Sequence, residues 1–438
     1  MKQGTGLTWR TTAWFFFPLL LNVQLMSLSH TIINAGLARL EDAVVSLASF
    51  SVAMVLHLFV ASPSYQNHTV TIAMVRGRQS FRATFLFILL LAGYVSLMLA
   101  LLAFTPVGTL VLNRLLGVTP DVAEGARQVL GLLVFLPFFT GLRGLFQGLV
   151  IQARRTSLVS LATGVRIAAL FGYLWLGQQL FSGPEVAAFA LLFCVITETL
   201  VMGLFAWRVH LPAEEDDRRS FGEIFRFAFP LAYSSGLQQT IPLLINAIIS
   251  RLPDGTLALA AFGVIRGFLF LLAGPMRNLQ QAYLTLIRQV SDTQVLLRFY
   301  RHLSLAMAVI MLAVAGPLNQ LILGRAMGLD AEMRQYIIWP LAICALFPVL
   351  YGGVNLLRGW FAGLHQTHLL GRSTFYKALF LLLCWPLVVM PGWSFPGIAF
   401  GIILLLAAEF CEACYLYVQR RRMLDRLGLV PLGSRDVE

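Results

Sequence analysis

Charge is scarce in this chain of 438 residues: Asp, Glu, Lys and Arg together make up only 12% of it. That excludes a disordered polyelectrolyte, which needs many like charges and few apolar residues. Lysine is nearly missing, with Lys2 and Lys377 alone, so arginine carries the net charge of +12. No glycine-rich loop leads into a Lys and a Ser/Thr, so the phosphate cradle of an ATP-hydrolysing domain is not found. Cysteine is sparse too. Cys194, Cys344, Cys384, Cys411 and Cys414 all lie inside apolar runs. Cys411-Glu412-Ala413-Cys414 has redox spacing but no second pair, so ordinary packing is expected. His57 and His68 lie eleven residues apart (68 − 57) with no acid at ligand spacing, so neither an enzyme, a metal site nor a cofactor is expected. The apolar run after Arg10 is full length and lacks a small-residue cleavage site, which argues against a cleaved signal peptide.

The chain has apolar surface instead. Hydrophobic residues make up 58%, mean hydropathy is +0.79, and runs of about 20 apolar residues recur throughout. A water-soluble chain could not bury that surface, whereas a bilayer requires it. Twelve transmembrane helices are expected, near 14–33, 44–63 and beyond, 83–104, 128–151, 158–180, 186–207, 224–249, 256–275, 299–323, 336–361, 370–390 and 398–418. The arginines choose the orientation. Arg76, Arg78, Arg82, Arg154, Arg155, Arg208, Arg288, Arg298, Arg301 and Arg420 to Arg422 all fall on one set of loops. Loops 178–185 and 391–397 on the other side contain no Lys or Arg. Both termini are therefore expected on the cytoplasmic side of the cell (inner) membrane, and the charge balance calls for no nucleic-acid partner.

The order of the chain repeats. Ile33-Asn34-Ala35 with Arg39-Leu40 returns as Ile245-Asn246-Ala247 with Arg251-Leu252, and 246 − 34 and 251 − 39 both give 212. Pro18 and Pro230, and Pro63 and Pro275, share that offset. Leu142-Arg143-Gly144-Leu145-Phe146-Gln147-Gly148-Leu149 reappears as Leu357-Arg358-Gly359-Trp360-Phe361-Ala362-Gly363-Leu364, and Glu198 pairs with Glu409. A period of half the chain implies an all-α membrane protein of two parallel six-helix, pseudo-symmetric halves, 1–212 and 213–438. A polar linker at about 209–222 joins them.

The spans carry polar groups that an inert bundle would not need. A charge at bilayer depth costs about 2.5–3.5 kcal/mol on insertion scales, so each needs a partner or water. Arg166, Glu198, Arg266, Glu409 and His57 are expected near mid-depth, with Arg143, Arg277, Arg358 and Lys377 nearer the cytoplasm. α-Helical spacing puts Arg266 and Arg277 on one face, His57, Ser64 and His68 on another, and Asn355, Arg358 and His365 on a third. Ser235, Gln238, Pro242 and Asn246 form a polar stripe, and Pro63 and Pro275 are expected to break their spans. Bland readings stand beside these. Arg143, Arg358 and Lys377 can snorkel, Glu198 and Glu409 can neutralise a neighbouring arginine, and His57 and His68 can be hydrogen-bonded packing residues. Asn34 and Asn246 can cap or anchor the outer loop. The excess of cations over carboxylates is what these readings leave over, and it invites an anion.

Asn34-Ala35-Gly36-Leu37-Ala38, Glu41-Asp42-Ala43-Val44 and Leu47-Ala48-Ser49-Phe50 resemble the progressive ankylosis protein family, in a bacterial member. So do Asn246 with Ser250-Arg251, Gly274-Pro275-Met276, Leu286-Ile287-Arg288 and Gly401 with Glu409. The family lies within the multidrug/oligosaccharidyl-lipid/polysaccharide exporter superfamily. The resemblance implies export of small anions: pyrophosphate, nucleotide triphosphate or citrate-like organic acids. Asn34, Glu41, Asp42, Pro275, Arg288, Arg358 and Glu409 match family positions; Arg143 rests on the repeat alone. The reading is an alternating-access carrier acting as a monomer in lipid, with Arg166, Arg266, Arg277, Arg358, Lys377 and Arg143, helped by Asn34, Asn246 and Gln238, drawing the anion into a central cationic cavity. Glu198, Glu409, His57 and His68 are the candidates for coupling or gating. The alternative is a flippase for a lipid-linked diphosphate precursor.

Overall fold

The computed structural model describes residues 7–37, 39–115, 119–210, 219–249, 255–326, 331–388 and 397–426, and these form helices and turns with no strand among them. The linker's 211–218, Arg251 and the outer-loop residues 391–396 lie outside the described residues. Two compact units divide the chain.

The unit Trp14–Gly236 holds most of α1 (Trp9–Leu37), then α2 (Ala43–Ala61), α3 (Asn67–Met74), α4 (Arg78–Phe104) and the short α5 (Pro106–Thr109). It continues with α6 (Pro120–Leu133), α7 (Leu136–Gln152), α8 (Thr156–Leu180), α9 (Glu185–Trp207) and the start of α10 (Phe221–Ile249). Its core joins Ile33, Phe50, Leu99, Leu130, Leu170 and Leu191. Alanines 187, 188 and 190 in α9, all fully buried, let its helix neighbours approach closely, as small residues do in membranes. Phe87 of α4 meets the rings of Phe221 and Phe225 at 6.4 Å, which ties the beginning of α10 to this unit. The boundary consequently falls inside α10 and not in the polar linker.

The other unit, Met1–Ala13 with Leu237–Glu438, holds the rest of α10 and α11 (Gly255–Ala273), α12 (Asn278–Leu286), α13 (Val290–Ala315) and α14 (Ala331–Ile343). α15 (Phe347–Gly363), α16 (Thr367–Val388) and α17 (Gly397–Arg426) complete it. Ile245, Phe262, Ile265, Leu341, Leu381 and Ile402 sit in its core. The start of the chain belongs here because the Leu7 amide donates to Asp292 Oδ1 at 3.0 Å and the Trp9 ring lies 5.8 Å from that of Phe299.

Large apolar side chains remain outside: Trp207 is 86% exposed and Leu383 69%. Water would not tolerate that surface at such density, and lipid favours it. Among the described residues, eight helical runs are long and apolar enough to cross a bilayer, or nine if α6 and α7, bent by 47°, form one span. α10, α11 and α16 fall where the sequence reading puts its seventh, eighth and eleventh spans.

The offset read from the sequence recurs in local structure. Pro63 starts the 3-10 helix Ser62–Gln66 between α2 and α3, and Pro275 lies in the 3-10 helix Gly274–Arg277 between α11 and α12. Both spans are broken as expected, since proline has no N–H to continue the ladder. π-helical turns occur at Leu110–Leu115 and Gln320–Ala326. Arg154 (φ 60°) and His365 (φ 56°) each take a left-handed turn, 211 residues apart (365 − 154). Ser80 Oγ accepts the amides of Arg76 and Gly77 at 2.8 and 3.1 Å; 212 residues on (292 − 80), Asp292 Oδ2 accepts those of Arg288 and Gln289 at 3.0 and 3.1 Å.

The repeated Arg-Gly motif has two jobs, and packing is one of them. A Cβ on Gly148 of α7 would stand 2.5 Å from Thr71 Cβ of α3, and one on Gly359 of α15 would stand 2.6 Å from Tyr283 Cβ of α12. Only glycine permits these helix contacts. Gly148→Leu is expected to cost about 1–3 kcal/mol by forcing α7 off α3, read as a lowered unfolding midpoint in detergent.

Candidate functional site

The arginine of the same motif does the other job. In the first unit, Arg143 of α7 and Arg166 of α8 converge on Glu198 of α9: Arg143 Nη1 donates to Glu198 Oε2 at 2.8 Å and Arg166 Nη1 at 3.2 Å. Thr163 Oγ1, one turn before Arg166, lies 2.8 Å from Glu198 Oε1 and 2.5 Å from Asn22 Oδ1 of α1. The Arg166 and Glu198 side chains are 3% and 4% exposed, while that of Arg143 is 16% exposed. One carboxylate serves two guanidiniums, so the cluster keeps a net positive charge, with Arg143 on its open side. Arg143 Nε and Arg166 Nε are buried without a hydrogen-bond acceptor among the described residues.

The second unit rebuilds this arrangement and then changes its charge. Arg358 of α15 donates through Nε to Glu412 Oε1 of α17 at 2.9 Å and through Nη2 to Thr374 Oγ1 at 2.7 Å. Lys377 Nζ of α16 donates to Glu409 Oε1 and, at 3.1 Å, to Glu412 Oε2. Ser373 Oγ lies 3.2 Å from Glu412 Oε1. The pairs match at one offset: 377 − 166 and 409 − 198 both give 211. Glu412 breaks the symmetry, because the position 211 residues before it is Val201. Two cations therefore meet two carboxylates, all less than 10% exposed, and the cluster is neutral. Glu409 Oε2 is buried without a donor among the described residues. Sequence reasoning missed Glu412, which was set inside a Cys-x-x-Cys spacing. A search for charges at i and i+3 along α17 would have found it beside Glu409.

These clusters hold four of the six cations expected to gather around one anion, and they hold them in ion pairs. Arg358 and Lys377, expected to draw in the anion, are held by Glu412 and Glu409. Arg266 and Arg277 stand apart. Both are exposed, and no hydrogen bond or ion pair joins them among the described residues. Arg277 lies in the 3-10 turn after α11, so an α-helical count of eleven residues from Arg266 does not apply to it. The 3-10 helix Ser62–Gln66 likewise interrupts His57, Ser64 and His68, and His365 lies beyond the end of α15.

Arg266 is the more telling of the two. It lies eleven residues into α11 (266 − 255), about 16 Å along the axis at 1.5 Å per residue, close to half the hydrocarbon thickness of a bilayer. Its flanks are empty: a Cβ on Gly263 or on Gly267 would meet nothing within 4 Å. An exposed guanidinium at that depth cannot face hydrocarbon cheaply, so water or an anion must reach it.

The remaining candidates differ in burial. His57 is buried, its Nδ1 without a partner among the described residues, and His68 is half-buried. Gln238 and Asn246 are half-buried along α10, and Asn34 is exposed on α1. The family-matched Glu41 and Asp42 line a cleft of ≈ 950 Å³ with Arg39, Asp121, Glu124 and Gln128. Four carboxylates to one arginine would repel an anion there.

Comparison with known proteins agrees with that resemblance over the first part of the chain. Residues 5–195 match the sequence profile described as progressive ankylosis protein. The fold is similar to that of several solved membrane transporters. A MOP superfamily transporter from Pyrococcus furiosus, whose structure is described by a binding pocket of reverse polarity suggesting a different function, aligns at a TM-score of 0.75 and 14% identity, over 96% of this chain and 97% of that one. A MATE transporter in a straight conformation aligns at 0.73 and 16% identity, over 96% and 97%. One in a bent conformation aligns at 0.72 and 16%, over 95% and 96%.

Proposed function

We propose that this chain, whose residues 5–195 match the progressive ankylosis protein family, is a twelve-span, multi-pass membrane carrier for small anions. Pyrophosphate, nucleotide triphosphate and citrate-like acids are the substrate classes to test first. The observation that carries the reading is Arg266: mid-helix, exposed, without a carboxylate among the described residues, and set between two glycines whose flanks are open. A planar guanidinium in that position binds carboxylate or phosphate oxygens in two places at once. The surplus positive charge of Arg143 and Arg166 over Glu198 adds to the attraction.

The ion-paired clusters then act as the switch that such a carrier needs. An anion arriving at Arg143 competes with Glu198 for the same guanidinium, and a proton arriving at Glu409 Oε2 weakens the hold on Lys377. Either event exchanges partners within one unit, at the junction of three helices. Similar folds occur in bent and straight forms, which supports alternating access.

The test is uptake into proteoliposomes of labelled pyrophosphate, ATP and citrate. Saturable uptake of one of them, against empty liposomes, is the expected result. A folded, inserted chain that moves none of the three overturns the reading in favour of a flippase for a lipid-linked diphosphate, since such a head group suits the same arginines.

A further inference from the structure

Away from the charge clusters, the second unit encloses an apolar cavity of ≈ 420 Å³ between α12, α13, α15 and α17. Leu296, Leu297, Leu356, Leu357 and Phe410 line it. Tyr300 makes one wall. Its hydroxyl donates to the Val349 carbonyl at 2.6 Å, and its ring lies so close to α15 that a Cβ on Gly352 would stand 2.7 Å away. At one end of the cavity stand Tyr283, Trp360 and Arg420. The Arg420 Cζ atom is 5.8 Å from the centre of the Trp360 ring, and Arg420 Nε is buried with no hydrogen-bond acceptor among the described residues. The rim residues Val349, Phe410 and Tyr417 are 42%, 57% and 53% exposed.

Each part constrains the occupant. The volume falls within the range of small-molecule pockets, about 300–1,000 Å³. The lining is nearly all hydrocarbon and aromatic, so a free pyrophosphate or citrate would leave it unused. A molecule without an oxygen acceptor would leave the buried Arg420 N–H unpaired, which is costly for a charged donor, and the run Arg420 to Arg422 favours a head group of net negative charge over a zwitterionic one. What satisfies both ends is a hydrocarbon chain carrying an anionic oxygen group, and the exposed apolar rim gives that chain a route from the bilayer.

We infer that this cavity binds a membrane phospholipid with an anionic head group. One acyl chain lies along the leucines, and a phosphate oxygen accepts from Arg420 where Arg420, Arg421 and Arg422 gather near the end of α17. The site is separate from Arg266 and does not depend on the anion-carrier reading.

Native mass spectrometry of the full chain released from detergent tests it, with phosphatidylglycerol and phosphatidylcholine offered at equal concentration. Phosphatidylglycerol is expected to remain as a tight single adduct, held at least about tenfold better than phosphatidylcholine. Arg420→Gln should lower its retention by about tenfold. Leu297→Trp should do the same with the arginine intact, by filling the floor. Unfolding midpoints show that each variant is folded, and Ala413→Leu replaces Leu297→Trp if the latter is not. Equal retention of the two lipids, or undiminished phosphatidylglycerol in both variants, overturns the inference. So does a lipid-linked diphosphate that displaces phosphatidylglycerol, which would give the cavity to a substrate instead.

Discussion

Glu198→Ala is expected to lower the unfolding free energy by about 3–5 kcal/mol, as removal of one partner from a buried ion pair does. The reason is the geometry around Arg166. Its side chain is 3% exposed and its ion pair runs to Glu198, so the alanine leaves a buried guanidinium with no counter-charge. Arg143, at 16% exposure, can turn toward water and suffers less. Arg166→Met alone should cost less than Glu198→Ala, because Arg143 and Glu198 remain a balanced pair. The double replacement should recover most of the loss, since the buried cation is removed together with its counter-charge. Thermal unfolding in detergent, run as a double-mutant cycle, reads the coupling directly. Additive losses would mean that Arg166 does not depend on Glu198, and the cluster would then owe its place to something other than charge balance.

That cycle tests the part of the molecule that the sequence described best. The repeated Leu-Arg-Gly motif related Arg143 to Arg358 and the repeat offset related Glu198 to Glu409, and each does lie in a three-helix charge cluster. The offset also relates Arg166 to Lys377, a pair hidden because arginine and lysine look unlike in a repeat search while serving one electrostatic purpose. The prolines at 63 and 275 were legible for a local reason: the lost N–H acts where the residue sits, whatever surrounds it.

What stayed hidden depended on contacts between helices. Depth along a span follows from counting residues, but whether an arginine meets a carboxylate depends on which faces of three helices converge. Glu412 has no counterpart in the first half, where Val201 stands, so the repeat pointed away from it. Its arrival turns a positive cluster into a neutral one and removes Arg358 and Lys377 from the freely available cations. The faces proposed for Arg266 with Arg277, and for His57 with His68, assumed an unbroken α-helix, and the 3-10 turns that the prolines themselves impose remove that premise. Sequence periodicity is reliable only between such breaks.

The remaining cation decides the functional question. Arg266→Ala is expected to reduce anion uptake by about 10- to 100-fold, the value of one to two charge-assisted hydrogen bonds at about 1.4 kcal/mol per tenfold. The unfolding midpoint should barely change, because no ion pair or hydrogen bond joins Arg266 among the described residues and its neighbours Gly263 and Gly267 face open space. Removing an unpaired charge from a span should, if anything, help insertion. That separation of uptake from stability distinguishes a substrate contact from a structural one. Arg266→Lys should fall between the two, keeping the charge while losing the planar fork. Gly267→Leu should also impair uptake with the arginine present, by occupying the space beside it. Were Arg266→Ala to transport normally, the anion would have to be held by the surplus charge at Arg143. Arg143→Gln, which leaves Arg166 and Glu198 as a neutral pair, would then carry the loss.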